Sequence, residues 1–265
     1  MSERAPDGTA WELHGPEGAP AVALIHGLGL CRGIWEGHLP ALSARYRVLS
    51  YDLHGHGESA APPETASLAV YARQLTGLMD ALGIDRAAVV GFSIGGMINR
   101  RMALDFPKRL TALAILNSPH DRGEAAQAEV EARAAAVRAD GPMATMEAAL
   151  ARWFTPDYRA AHPEVMERVR GWRRRVEPES YAQAAWVLAN GVRELIRPDP
   201  PVAAPALVMT CENDTGSTPA MAHAIASEIE GAETRIVPGL RHLGLMEDPA
   251  AFTAPILDFL DRRLA

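Results

Sequence analysis

Cysteine and lysine are almost absent from this sequence of 265 residues: Cys31 and Cys211 are its only thiols and Lys108 its only lysine. Two cysteines so far apart exclude a disulfide scaffold and suit a reducing compartment. No apolar run approaches the roughly 18 residues of a membrane span, and the polar start from Met1 to Gly15 is unlike a secretory signal. Positive charge is not in excess either. The 26 basic residues are outnumbered by 33 acidic ones, for a net charge of −7, which argues against a nucleic-acid partner. The expectation is a cytoplasmic protein that acts on a small molecule, with neither nucleic acid nor membrane as a partner.

What the chain does have is apolar residues, 48% of the total, in two alternating patterns. Val22 to His26, Val48 to Tyr51, Ala87 to Phe92 and Leu113 to Leu116 are short runs rich in Val, Ile and Leu, as buried strands are. Between them, Leu68, Tyr71, Leu75, Leu78 and Leu82 recur at helical spacing before Gly83. Another helix is predicted from Ser93 to before Pro107. The alternation resumes late, with strands at Ala206 to Thr210 and Thr234 to Val237, and helices at Pro219 to Glu230 and from Asp248-Pro249 onward. Strand–helix alternation of this kind gives a mostly parallel sheet covered on both faces. From residue 120 to 198 strand signals vanish, and alanine-rich helical pieces follow one another, broken by Gly141-Pro142, Pro156, Pro163 and Pro178. The predicted architecture is an α/β core formed by residues 1–119 and 199–265, with a helical lid inserted over residues 120–198.

Gly91-Phe92-Ser93-Ile94-Gly95 follows a predicted strand and opens a predicted helix. A nucleophilic serine needs such a sharp turn to project its hydroxyl above the sheet edge, and the flanking glycines keep the turn free of side chains. The alternative, a glycine-rich turn carrying a surface serine, is disfavoured by the strand before it and the helix after it. A base and an orienting acid are also required, in the order serine, acid, histidine. Asp214 and His242 each follow a predicted strand, at the sheet end where ligands bind. Asp105 and Asp121 are alternative acids at less suitable element ends. Ile25-His26-Gly27-Leu28-Gly29 follows the first strong strand, so the backbone N–H groups of Leu28 and Ile94 are candidate oxyanion donors.

The motifs His26-Gly27-Leu28-Gly29, Asp52-Leu53-His54-Gly55-His56-Gly57-Glu58-Ser59, Gly91-Phe92-Ser93-Ile94-Gly95-Gly96 and Arg241-His242 together resemble the α/β-hydrolase fold over nearly the whole chain. Arg152-Trp153-Phe154-Thr155-Pro156 and His162-Pro163-Glu164-Val165 make the sequence most similar to the 3-oxoadipate enol-lactonase-like and carboxylesterase group. The resemblance implies a serine hydrolase without cofactor or metal, acting on a small ester or lactone. Its triad would fall on Ser93, Asp214 and His242, and its oxyanion donors on Leu28 and Ile94. The chain departs from the enol-lactonase pattern at His26-Gly27, His54, Cys211 and Arg241, none of them a catalytic group.

Other readings are weaker. A dinucleotide-binding turn at Gly27-Leu28-Gly29 lacks the immediate long helix it needs. Asp52, His54 and His56 do not match a metallo-lactonase pattern. A perhydrolase, a carbon–carbon bond hydrolase or a non-catalytic ligand-binding protein would use the same fold, and the sequence does not separate these from an esterase. Between Arg152 and Arg175 seven arginines face three acids. One or more of Arg170, Arg173, Arg174 and Arg175 is therefore a candidate for a substrate carboxylate, set against a solvated helix face. Helical periodicity lets at most one or two of the consecutive arginines enter a pocket. Arg32, Trp153, Arg173 and Trp186 complete the candidate substrate-binding set.

Overall fold

The structure, a computed structural model, describes residues 3–264. Eight strands form one sheet: β1 (Glu3–Arg4), β2 (Ala10–His14), β3 (Ala21–Ile25), β4 (Arg47–Tyr51), β5 (Ala87–Phe92), β6 (Leu110–Leu116), β7 (Ala206–Cys211) and β8 (Glu233–Val237). Their order is β1-β2-β4-β3-β5-β6-β7-β8. Strands β3 to β8 pair in parallel, whereas β1 with β2 and β2 with β4 are antiparallel. The six parallel strands coincide with the apolar runs of the sequence to within a few residues. The first two strands were not predicted. β2 is short, carries Glu12 and His14 at an edge, and is held by its register on β4, Trp11 opposite Tyr51.

The helices are α1 (Leu39–Ser43), α2 (Leu68–Ala81), α3 (Ile94–Asp105), α4 (Gly123–Asp140), α5 (Met146–Trp153), α6 (Pro156–Ala161), α7 (Pro163–Arg174), α8 (Pro178–Asn190), α9 (Pro219–Ser227), α10 (Gly244–Glu247) and α11 (Pro249–Leu264). Alternation along each strand sends successive side chains to opposite faces. Ile25, Tyr51, Val89 and Ile115 pack with Leu75 of α2, Met97 and Ile98 of α3 and Ile225 of α9. Leu24, Val48, Val90 and Leu116 pack on the other side with Leu42 of α1 and with Phe252, Ile256 and Phe259 of α11. Both faces being covered, the strands read as continuous apolar runs. Side-chain caps begin α2 and α9, where Ser67 accepts from Val70 N and Thr218 from Met221 N.

Helices α4 to α8 lie between β6 and β7 and close over the carboxyl end of the sheet. Core loops meet them without side chains. A Cβ on Gly29 would stand 2.8 Å from Tyr181, one on Gly33 2.9 Å from Trp172 and one on Gly55 2.2 Å from Ser180. The loop after β4 is tied by Asp52, whose carboxylate accepts from Arg32 N at 2.8 Å and Glu58 N at 2.9 Å and pairs with the Arg32 guanidinium. No helix among the described residues is long and apolar enough to cross a membrane.

Burial holds four histidines, His26, His38, His54 and His56, below the ordinary imidazole pKa, and three of them furthest. His26 Nδ1 donates to Gly27 O at 2.8 Å while its Nε2 accepts from Leu53 N at 2.9 Å, so a second proton would oppose N–H to N–H. His38 bridges Thr253 Oγ1 and Leu245 O. Burial lowers His26 and His38 to about 4 and, aided by the neighbouring His26, lowers His56 to about 3. The unfolded chain takes up these protons near the ordinary pKa of about 6.5 while the folded one does not. Stability should therefore fall as pH drops below that value, by about 1.4 kcal/mol per pH unit for each histidine, and level off near the folded-state values. Urea unfolding at stepped pH measures this slope. His38→Gln should remove its share, and a slope equal to wild type would contradict the assignment.

Candidate active site

The turn between β5 and α3 is set by close approach. A Cβ on Gly91 would lie 2.1 Å from the Gly95 carbonyl oxygen, and one on Gly95 would lie 2.5 Å from that of Ile25. With both positions stripped of side chains, the first turn of α3 lies directly on the ends of β3 and β5. Ser93 is then driven to φ 58° and ψ −115°, a conformation rare for a residue with a side chain. Its N–H donates to Leu116 O at 2.8 Å, which fixes the strained residue to β6.

His242, in the loop after β8, and Asp214, in the loop after β7, converge on this serine. His242 Nε2 is 3.2 Å from Ser93 Oγ, and His242 Nδ1 is 2.6 Å from Asp214 Oδ2. Asp214 is buried and fully hydrogen-bonded: Oδ1 accepts from Gly216 N at 2.8 Å and Ser217 N at 3.0 Å, and Oδ2 also accepts from Asn117 Nδ2 at 2.9 Å. Burial raises its pKa, but the His242 charge and the hydrogen bonds from His242, Asn117 and Ser217 outweigh it and hold the carboxyl below its usual range. The carboxylate thus stays ionised and fixes the imidazole so that Nε2 faces the serine. Phe92 and Trp153 flank the ring, with centroids 5.0 and 6.3 Å away.

Gly27 and Leu28 line the same cavity as Ser93 and His242. The Ile94 N–H heads α3, where no preceding helical turn can accept it. His26 anchors the carbonyl of Gly27, so the loop that carries the Leu28 N–H is held from below. The cavity has a volume of about 150 Å³ and extends toward the helical insertion, where Trp153, Arg173, Tyr181 and Arg152 line it.

Arg173 is 2% exposed. Its guanidinium lies 4.8 Å from the Trp153 ring and 5.3 Å from that of Tyr181, and Nη1 reaches Thr145 Oγ1 at only 3.5 Å. Nε has no hydrogen-bond partner, and no ion pair to Arg173 occurs among the described residues. Burial lowers its pKa, against a smaller opposite effect of Tyr181. Arg170 and Arg174 instead pair with Glu147 and Glu167 on the surface, and Arg175 is exposed, as the helical period requires.

Two of the candidate substrate contacts lie elsewhere. Arg32 is outside the cavity because its guanidinium is saturated by Asp52, Glu12 and Glu58. Trp186 is also outside, 51% exposed on the outer side of α8 beside Ala135 and Arg138. Asp52, His54 and His56 are separately engaged, and among the described residues no group of His, Cys, Asp and Glu side chains is placed to hold a metal ion. Cys31 and Cys211 are buried thiols pushed up to about 12, chiefly by burial, so neither is a ready nucleophile. Asn117, Tyr181 and Arg152 are additions to the expected set. Asn117 sits just past a strong strand, before Ser118-Pro119, and that position is the only sequence signal for it.

The sequence profile described as the alpha/beta hydrolase fold matches residues 20–249. The chain belongs to the α/β-hydrolase fold family. It is similar to 3-oxoadipate enol-lactonase 2 of Acinetobacter baylyi, 29% identical over 234 residues, which cover 88% of this chain and 85% of that one. Another relative from that organism, (E)-2-((N-methylformamido)methylene)succinate hydrolase, is 29% identical over 237 residues, 89% and 88% of the two chains. Among solved structures, the enol-lactonase of Burkholderia xenovorans LB400 superimposes with a TM-score of 0.87 at 30% identity, covering 96% of each chain. The protein is a hydrolase of the enol-lactonase-like group.

Because the β3–β5–α3 contact leaves no room at Gly91, Gly91→Ala should cost about 1–3 kcal/mol of stability by overpacking. Chemical unfolding measures this. A fully stable variant would show that the turn relaxes without the close approach.

Proposed function

We propose that this hydrolase cleaves a small, carboxylate-bearing ester or lactone through an acyl-enzyme on Ser93. The observation that carries the reading is the continuous hydrogen-bond chain from Ser93 Oγ through His242 to the buried Asp214 carboxylate. In this mechanism His242 Nε2 accepts the Ser93 proton as Oγ attacks the substrate carbonyl. The imidazolium so formed is stabilised by Asp214, which does not itself take the proton. The carbonyl oxygen becomes an oxyanion and accepts from the N–H groups of Leu28 and Ile94. Collapse of the tetrahedral intermediate breaks the C–O bond, and His242 returns its proton to the departing alkoxide oxygen. In a lactone that alcohol stays tethered to the acyl group. Water, deprotonated by His242, then adds to the acyl-enzyme, and Ser93 Oγ leaves with the proton.

Arg173 supports a carboxylate on the substrate. A buried guanidinium without a counter-ion costs several kcal/mol, a cost that a bound carboxylate reduces through charge-assisted hydrogen bonds. Trp153 and Tyr181 hold the planar group in place for this contact. The names of the two relatives, an adipate-derived lactone and a succinate derivative, are consistent with an acidic substrate.

Ser93→Ala should lower ester or lactone turnover by several orders of magnitude. Undiminished activity would end the acyl-enzyme reading. Arg173→Met should raise KM for a carboxylate-bearing ester roughly tenfold to a hundredfold while changing that of its neutral analogue about twofold or less. Equal effects on the two esters, measured in parallel steady-state assays, would count against the carboxylate contact.

A further inference from the structure

We propose that Asn117 is a positioning residue for the triad, its side-chain amide holding Asp214 Oδ2 in the orientation that aims His242 at Ser93. The inference rests on the acyl-enzyme reading above and concerns a residue that never touches substrate.

The two oxygens of Asp214 are held differently. Oδ1 is fixed by backbone, through the N–H groups of Gly216 and Ser217. Oδ2 must orient the imidazole, and among the described residues Asn117 is the only side chain besides His242 that bonds it. Torsion about the last carboxylate bond of an aspartate is soft, so a second donor on Oδ2 restricts the plane in which His242 Nδ1 is met.

The amide's orientation follows from its partners. Thr210 Oγ1 donates to Ser217 O at 2.5 Å and so can only accept from Asn117, 3.3 Å away. Asn117 Nδ2 therefore faces two acceptors, Thr210 Oγ1 and Asp214 Oδ2. The opposite flip would set a carbonyl oxygen against the carboxylate. Asn117 Oδ1 is buried without a partner, so the acceptor half of the side chain is left unused while the donor half is used twice.

The backbone holds that amide still. Asn117 continues the β6–β7 pairing through its N–H to Met209 O at 2.8 Å and then turns at φ 45°, a region that asparagine, aspartate and glycine enter most readily. The next residues are clamped by the buried Arg100, whose Nη2 reaches Ser118 Oγ at 3.2 Å and Pro119 O at 2.8 Å. A single side chain thus links the ends of β6 and β7 at the oxygen on which the triad turns.

Asn117→Gly keeps the turn and removes the amide, while Asn117→Asp keeps the shape and replaces the donor with an acceptor. Each is expected to lower kcat roughly tenfold to a hundredfold, the loss of one hydrogen bond to a charged group, with KM changed less than about twofold. The downfield proton resonance of His242 Nδ1–H should shift or broaden in both variants, which a merely structural role would not cause while the protein stays folded. Unchanged kcat in either folded variant, or a loss confined to KM, would overturn the proposal. If Asn117→Gly does not fold, Asn117→Asp decides by the same criteria. Ser93→Ala in the same assay separates the two levels: retained activity there defeats the acyl-enzyme reading itself, whereas its loss alongside normal Asn117 variants defeats only this inference.

Discussion

The contact between the first turn of α3 and the ends of β3 and β5 sets the geometry of everything above the sheet. Backbone meets backbone there because Gly91 and Gly95 carry no Cβ, and Ser93 is held in its strained conformation by that approach. One constraint has two results at once. It lifts the serine hydroxyl to where His242 reaches it, and it seats Gly95 of α3 against the carbonyl oxygens of Ile25 and His26, where the Gly27–Leu28 loop begins. The strain, of order 1–3 kcal/mol for such a residue, is offset by the large apolar layers that α3 helps to close on one face of the sheet.

Above that frame the buried charges are treated in opposite ways. The Asp214 carboxylate accepts four hydrogen bonds and is complete within the protein. The Arg173 guanidinium is as deeply buried, yet it has one marginal hydrogen bond, two aromatic faces and an unpaired Nε. A charge whose partners are all internal orients neighbouring groups. One left incomplete is suited to an external ion, which is the sense in which the proposed substrate takes part in finishing the site.

Much of this could be read in the sequence, for local reasons. The parallel strands are buried on both faces and so advertise themselves as apolar runs, and the glycines about Ser93 mark a turn that few other residues allow. Asp214 and His242 could be named because chain order and strand ends narrow the choice. β1 and β2 are illegible because β1 is a two-residue edge strand and Ala10–His14 owes its form to its partner β4 rather than to its own pattern. Arg32 was misplaced for a similar reason: nothing near it in sequence reveals that Asp52, twenty residues on, claims its guanidinium. Among the consecutive arginines, helical period limits how many can turn inward; Arg173 is in the candidate set read from the sequence, and the packing of α7 is what buries it. Asn117 gave no chemical signal at all, since its meaning lies in a hydrogen bond across to Asp214.

The glycines facing α7 and α8 carry a consequence for how such enzymes diversify. Gly29 and Gly33 belong to the connection between β3 and α1 and Gly55 to the one between β4 and α2, yet each is fitted to a residue of the insertion: Tyr181, Trp172 and Ser180. The seam is a matched pair of surfaces, so the insertion is not a freely exchangeable module. A helical segment with smaller residues in place of Tyr181, Trp172 and Ser180 would leave voids against the bare backbone of Gly29, Gly33 and Gly55. New specificities in this lineage would then be reached more readily by changing side chains inside the existing insertion than by replacing it whole.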